Sequence, residues 1–377
     1  MKKLFFIFLF LSNYSVFGQT LSNYISQVDL NSVIKTVREL SGEDSSIIYG
    51  TSNIIKDRVS LRNELAFSYL IERLTKYGLD VKAQSFNDRG KNVIATQKGI
   101  LHPDSVYIIC AHYDAVTDYC ADDNASGTAA VLEAARILSN ECLDYTIIYA
   151  LWDEEEQGLH GSNFFAKNAR LDSQNILGVL NIEMLGYDGN NDGLFEIHTN
   201  SNPSSLKIGS VLNSLVINQK LSLKDTLINP GTTASDHASF WREGFAAVVI
   251  SQGYYTGDFN PAYHTDYDRI DLFNIPYFEE MVKLSVGTIS ALASPCSNVH
   301  VSNSVKESLT LYPNPANLTL QIKGLGKASE FIINNHLGQK VSRGTLLQDQ
   351  YLNVRSLASG LYFIQLDTGQ TFKFLKQ

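Results

Sequence analysis

Val106-Tyr107-Ile108-Ile109-Cys110-Ala111-His112-Tyr113-Asp114, with Asp122-Asp123-Asn124-Ala125-Ser126-Gly127 starting ten residues after His112, decides the class of fold. The first stretch is an apolar, strand-forming run that ends on an imidazole. The second is a sharp polar turn that opens a strongly apolar helix from about Ser126 to Leu138, with Ser126 as the expected cap. Outward from this unit the alternation repeats. Apolar runs recur at Asn92 to Ala95, Tyr145 to Trp152, Leu177 to Ile182 and Phe245 to Ser251, while Asn31 to Leu40 and Glu64 to Tyr77 have helical spacing and Gly78 stops the second. Strands that alternate with helices predict an α/β fold with a largely parallel central sheet.

Polar residues sit just past these runs. His112 follows the first strand, Glu155 and Glu156 follow Tyr145 to Trp152, Glu183 follows Leu177 to Ile182, and His264 lies on the loop after Phe245 to Ser251. In open α/β sheets, ligand sites form at the carboxyl ends of strands, so four loops from one edge are expected to converge. An imidazole beside carboxylates suits a hard to borderline cation such as zinc. Three adjacent acids, Glu154, Glu155 and Glu156, repel one another unless a metal or protons neutralise them. A pair of metals about 3.5 to 4 Å apart also needs a bridging carboxylate, and Asp123, at the mouth of a helix, is placed for that. Of two neighbouring acids, one can ligate while the other moves protons. Asp114, two residues past His112, is suited to accept the imidazole's other N–H. His102, His160, His198, His300 and His336 read as surface or ordinary core residues.

Length and composition limit the alternatives. At 377 residues the chain accommodates an enzyme core and an accessory module. A formal net charge of −9, with 18% charged residues, gives no basic footprint for nucleic acid or an anionic membrane. Lys2-Lys3 ahead of the apolar run Leu4 to Leu11 reads as a signal peptide over residues 1–18, too short to span a bilayer. Export would expose Cys110, Cys120, Cys142 and Cys296 to an oxidising compartment, where disulfides form; their spacing leaves the pairing open, and Cys110 equally suits a buried thiol.

Composition changes after Cys296. A polar linker, residues 298–307, separates a domain of residues 19–297 from short alternating runs over 308–377, including Leu318 to Ile322, Glu330 to Ile333 and Leu361 to Leu366. This predicts a small all-β module. Its opening Tyr312-Pro313-Asn314-Pro315, its Leu357-Ala358-Ser359-Gly360-Leu361-Tyr362-Phe363 and its closing Lys373-Phe374-Leu375-Lys376-Gln377 resemble the C-terminal sorting domain of type IX secretion substrates. The resemblance implies the type IX machinery as a partner and a secreted or cell-surface location.

For the larger domain, six motifs occur in order: His112 to Asp114, Asp122 to Gly127, Glu155 to Ser162, Asn181 to Met184, Ser235 to His237 and Tyr263 to Thr265. Over about residues 30 to 295 the chain resembles the co-catalytic di-zinc aminopeptidase family, which includes glutamate carboxypeptidase II and has glutaminyl cyclases as relatives. The resemblance implies a three-layer α/β/α fold with a mixed sheet and two Zn²⁺ per chain. It makes Asp123 the bridge, Glu156 and His264 the ligands of one zinc, and His112 and Glu183 those of the other. Glu155 becomes the general base, Tyr263 the oxyanion donor, and Asp114 and Asp236 outer groups. Several members carry Asp where this chain has Glu183. The substrate implied is a peptide with a free N-terminus; a carboxypeptidase would need a basic clamp, and the cyclases generally lack the turn and use one zinc. A non-catalytic binding protein on the same scaffold would have lost ligands, and here all five are present.

Overall fold

The computed structural model describes residues 19–296 and 309–377, apart from 60–61, 324, 326–327, 337, 348–349 and 368–370. The expected signal peptide and linker lie outside the described residues. The chain divides into two compact units, with the division after Ser297.

In the larger unit, α1 (Leu30–Leu40) and a short hairpin, β1 (Ser46–Ile48) and β2 (Thr51–Asn53), precede α2 (Glu64–Lys76). The main sheet is built from β3 (Asp80–Ser85), β4 (Lys91–Gln97), β5 (His102–His112), β6 (Tyr145–Trp152), β7 (Asn175–Glu183), β8 (Leu194–His198), β9 (Lys224–Ile228) and β10 (Ala247–Ser251). Among the described residues its order is β3-β4-β6-β5-β7-β10-β8-β9. The four central strands β6, β5, β7 and β10 run parallel. β3, β4 and the β8/β10 pair are antiparallel, so the sheet is mixed around a parallel core.

Side chains alternate between the two faces of a strand, and here both faces are apolar. Ile109, Ala111, Tyr149, Leu151, Leu180 and Ile250 join the core packed by α1, α2, α3 (Gly127–Leu138), α5 (Pro203–Gln219) and α7 (Ile275–Ala293). Ile108, Cys110, Ala150, Trp152 and Val179 join a smaller core closed by α4 (His160–Leu171) and α6 (His237–Arg242). Continuous apolar runs in the central strands thus follow from a sheet covered on both sides. The layers are helix, sheet, helix, as expected. Cys142 and Cys296 form a disulfide, whereas Cys110 and Cys120 are buried thiols. No helix of the described residues is long and apolar enough to cross a membrane.

The smaller unit is all β. Antiparallel sheets of β11 (Thr310–Tyr312), β12 (Thr319–Lys323) and β15 (Tyr351–Asn353), and of β14 (Lys340–Leu346), β13 (Ser329–Asn335), β16 (Gly360–Leu366) and β17 (Thr371–Lys376), enclose Leu320, Ile322, Phe331, Ile364 and Phe374. Asn314 ties the opening motif to the closing strand: its Nδ2 donates to the Lys373 carbonyl, and its Oδ1 accepts from the Leu375 N–H. The opening and closing stretches that carry the resemblance therefore meet at one structural corner.

Candidate metal centre

β5, β6, β7 and β10 end at the same edge, and the loops that leave them hold every candidate ligand. His112 is the last residue of β5, Glu183 the last of β7, and Glu155 and Glu156 follow β6. Asp123 belongs to an irregular turn before α3; Asp123 (φ −103°, ψ 94°) and Asn124 (φ −128°, ψ 47°) are not helical, and their peptide bond is cis. Ser126 does not cap the helix. Asn124 does so instead, since its Oδ1 accepts from Gly127 N, while its Nδ2 donates to the Ile182 carbonyl of β7. The Ser126 hydroxyl is engaged inward, donating to the Asp122 carbonyl and accepting from Leu185 N. A residue already in helical geometry cannot reach back as a cap can.

The turn is also held from a distance. Asp268 Oδ2 accepts from the N–H groups of Asp122 and Asp123, and Asn260 Nδ2 donates to both Asp122 and Asp268. Burial, reinforced by the Asp268 carboxyl, pushes Asp122 up to about 8, and burial, reinforced by the Asp123 carboxyl, pushes Asp268 up to about 6. Arg58, also buried, donates to the carbonyls of Leu40, Tyr113, Tyr119 and Cys120 and so fastens the His112 and Asp123 loops to one guanidinium.

Asp123 faces two groups at once. Its Oδ1 lies 3.3 Å from His112 Nε2, which is 3.3 Å from Glu183 Oε1. Its Oδ2 lies 3.2 Å from His264 Nε2, which is 3.2 Å from Glu156 Oε2. His112, Asp123 and Glu183 form one trio of convergent donors, and Asp123, Glu156 and His264 form another. A tetrahedron with metal–ligand bonds of about 2.0 Å has edges of about 3.3 Å, so the spacing in each trio suits zinc with one position left open. Asp123 Oδ2 and Glu156 Oε1 are buried with no hydrogen-bond partner, as expected of atoms kept for a cation. Glu183 fits despite its extra methylene, because Ser235 donates to its Oε2 at 2.6 Å and Asn181 donates to Ser235.

Electrostatics agree with the geometry. Burial pushes the Asp123 carboxyl up, but the His112 and His264 imidazoles against its two oxygens outweigh it and hold the group below the ordinary range. Burial disfavours charge on His112, yet Glu183 and Glu155 lead the groups that raise its pKa well above normal. His264 is pushed up to about 10, first by the Asp123 and then by the Glu156 carboxylate, each 3.2 Å from its Nε2. Protons on these imidazoles balance the acids when no cation does.

The remaining residues fall around the trios. Glu155 lines the same pocket, and burial pushes its carboxyl well up. Tyr263 also lines it, its ring stacked on His264 at 3.7 Å and set edge-on to Phe259 at 5.1 Å. Asp114 Oδ1 stands 3.4 Å from His112 Nδ1, while the carboxylate also accepts from the N–H groups of Glu155 and Glu156. Asp236 is fully buried, and burial pushes it up to about 7. Glu154 points elsewhere, accepting from Asn87 Nδ2.

Residues 92–288 match Peptidase family M28, and that stretch is more than half of the chain. The chain belongs to this family. Residues 310–377 match the secretion system C-terminal sorting domain. Among relatives of the M28 domain, a probable leucine aminopeptidase of Arthroderma otae is 30% identical over 232 residues, 56% of this chain and 60% of that protein. Matches to the curated relatives cover less than two thirds of their lengths. The aminopeptidase LapA of Legionella pneumophila shares the fold with a TM-score of 0.62 and 20% identity, over 73% of this chain and 72% of that one. Porphyromonas gingivalis glutaminyl cyclase shares it with a TM-score of 0.56 and 15% identity, over 70% of this chain and 98% of that one.

Proposed function

We propose that the chain is a secreted zinc aminopeptidase that removes N-terminal residues from peptides. The observation that carries this reading is the division of the Asp123 carboxylate between two donor trios. Glu156 and His264 would complete one zinc site, and His112 and Glu183 the other. Zinc held by these residues would supply a water acidified toward a pKa of about 7 and a Lewis acid for the scissile carbonyl. Glu155 takes the water proton and passes it to the leaving amine; burial makes it a stronger base than an exposed carboxylate. Tyr263 donates to the oxyanion, its ring fixed against His264. The carboxylates around the pocket favour a free ammonium, and Met184, Val249 and Phe259 offer an apolar wall to the first side chain.

Metal analysis with a panel of free and N-acetylated peptides tests this reading. About two zinc ions per chain and cleavage of free N-termini only are expected. A glutaminyl peptide in the panel separates hydrolysis from cyclisation, and the second trio favours hydrolysis.

Zinc uptake should be coupled to protons. Since His112 and His264 are both raised, each holds a proton at neutral pH in the metal-free protein and must lose it to ligate. Loading at about pH 7 is expected to release about two protons, and apparent affinity should climb with pH. Calorimetry in buffers of different ionisation heat measures this; a buffer-independent heat contradicts it.

The sorting module implies export to the surface or the medium. Truncation after about Ser304 is expected to leave peptidase activity intact and the protein inside the cell. Fractionation of the producing cells checks it, and normal export of the truncated chain would remove the assignment.

A further inference from the structure

The pocket beside the metal centre has two walls that are not part of the sheet. Thr232, Ala234 and Ser235 come from the segment after β9, and Tyr254, Phe259 and Tyr263 from the segment after β10. Between them, on the antiparallel strand β8, stand Glu196 and His198, both fully buried. They sit opposite Ser251 and Val249 of β10, which also line the pocket, and so share their face of the sheet.

The two side chains form one hydrogen-bonded relay. Glu196 Oε1 accepts from the backbone N–H groups of Tyr255 at 2.7 Å and Thr256 at 2.6 Å. Glu196 Oε2 and His198 Nε2 are 2.8 Å apart. His198 Nδ1 accepts from the backbone N–H of Thr232 at 3.1 Å, which places the ring proton on Nε2 and directs it to Glu196. His237 holds the same residue through the next peptide, its Nε2 lying 2.8 Å from the Thr232 carbonyl. One wall thus hangs on the carboxylate, the other on the imidazole.

We infer that Glu196 and His198 are a positioning pair for the proposed aminopeptidase, fixing the distance between the two pocket walls and thereby selectivity for the substrate's N-terminal side chain. The polarity of the relay requires this pair of residue types. Every terminus is a donor, namely the Tyr255, Thr256 and Thr232 N–H groups with the Thr256 hydroxyl beside Glu196, so the side chains between them must present an acceptor at each end and only one donor. A carboxylate with a singly protonated imidazole does so. Glutamine at 196 turns its NH₂ either against Tyr255 and Thr256 or against the His198 Nε2–H, and shifting the ring proton to Nδ1 opposes the Thr232 N–H instead. In each arrangement a buried donor faces a donor, which one wall must move to relieve.

The inference rests on the aminopeptidase reading, and the experiment separates the two. Zinc-loaded wild type and Glu196→Gln are compared on leucyl and alanyl substrates, with zinc content measured on each. The expected result is a KM for the leucyl substrate raised about tenfold, a kcat within about threefold of wild type and unchanged zinc, so that the leucyl to alanyl ratio of kcat/KM collapses. A merely structural loss lowers active-enzyme concentration and leaves KM and the ratio alone. An unchanged ratio in folded Glu196→Gln overturns the inference, whereas a wild type that cleaves neither substrate overturns the aminopeptidase reading. Hydrogen exchange on the wild type gives a check that needs no variant. The amides of Tyr255, Thr256 and Thr232 should exchange slowly although they lie outside the sheet, and fast exchange at all three also overturns the inference.

Discussion

Replacing Glu155 with Gln is expected to lower kcat for peptide hydrolysis by about 10³ to 10⁴, at the upper end of what a positioned acid–base group contributes. KM and zinc content should change little, because Glu155, although it also converges with His112 and Glu156, belongs to neither trio that Asp123 joins. The substitution keeps the volume of a pocket-lining side chain that is 9% exposed, so the fold should survive. What disappears is the proton acceptor. An amide cannot take the proton of the attacking water or return it to the amine. The loss should be uniform across the pH range, since no titration restores a base that is gone. Steady-state kinetics with metal analysis on the same sample check this, and undiminished hydrolysis by a zinc-replete variant would sink the mechanism.

The donors were readable as neighbours because each terminates a recognisable strand or lies on the loop that leaves one, and parallel strands bring their carboxyl ends to one edge. His112 after Val106 to Ala111 and Glu183 after Leu177 to Ile182 needed only that rule. The outer strands β3, β8 and β9 were not legible because they lack long apolar runs: β3 and β9 are partly exposed at the two edges of the sheet, and β8, though buried, is interrupted by the polar Glu196 and His198. With β8 went Glu196 and His198. His198 reads as an ordinary residue until its partners Thr232 and Glu196 are seen, although two polar residues alternating with Phe195 and Ile197 are what a strand with one polar face looks like. Asp268 was missed for a different reason. It supports Asp122 and Asp123 across more than 140 positions, and no local pattern encodes such a contact. Ser126 was misread because capping rules place the cap at the first polar residue before a helix, whereas this turn uses Asn124 to join α3 to β7.

Replacing Asp123 with Ala should have the largest effect on metal content. His264→Ala removes one ligand from one trio and is expected to leave about one tightly held zinc. Asp123→Ala removes a ligand from both, leaving only His112 with Glu183 and Glu156 with His264. Two protein donors do not make a stable catalytic zinc site, so zinc should fall from about two to near zero after dialysis, and activity with it. Folding should persist, because the turn is held by Asp268 through the backbone N–H groups of residues 122 and 123 and by Asn124, none of which uses the Asp123 side chain. Charge points the same way. Without the central carboxylate, the cations in the two sites would face each other with one anion fewer between them, and their mutual repulsion in a buried pocket would rise. Zinc stoichiometry by mass spectrometry on the two variants decides the matter: a variant Asp123→Ala that keeps both ions would show that the trios do not share their bridge.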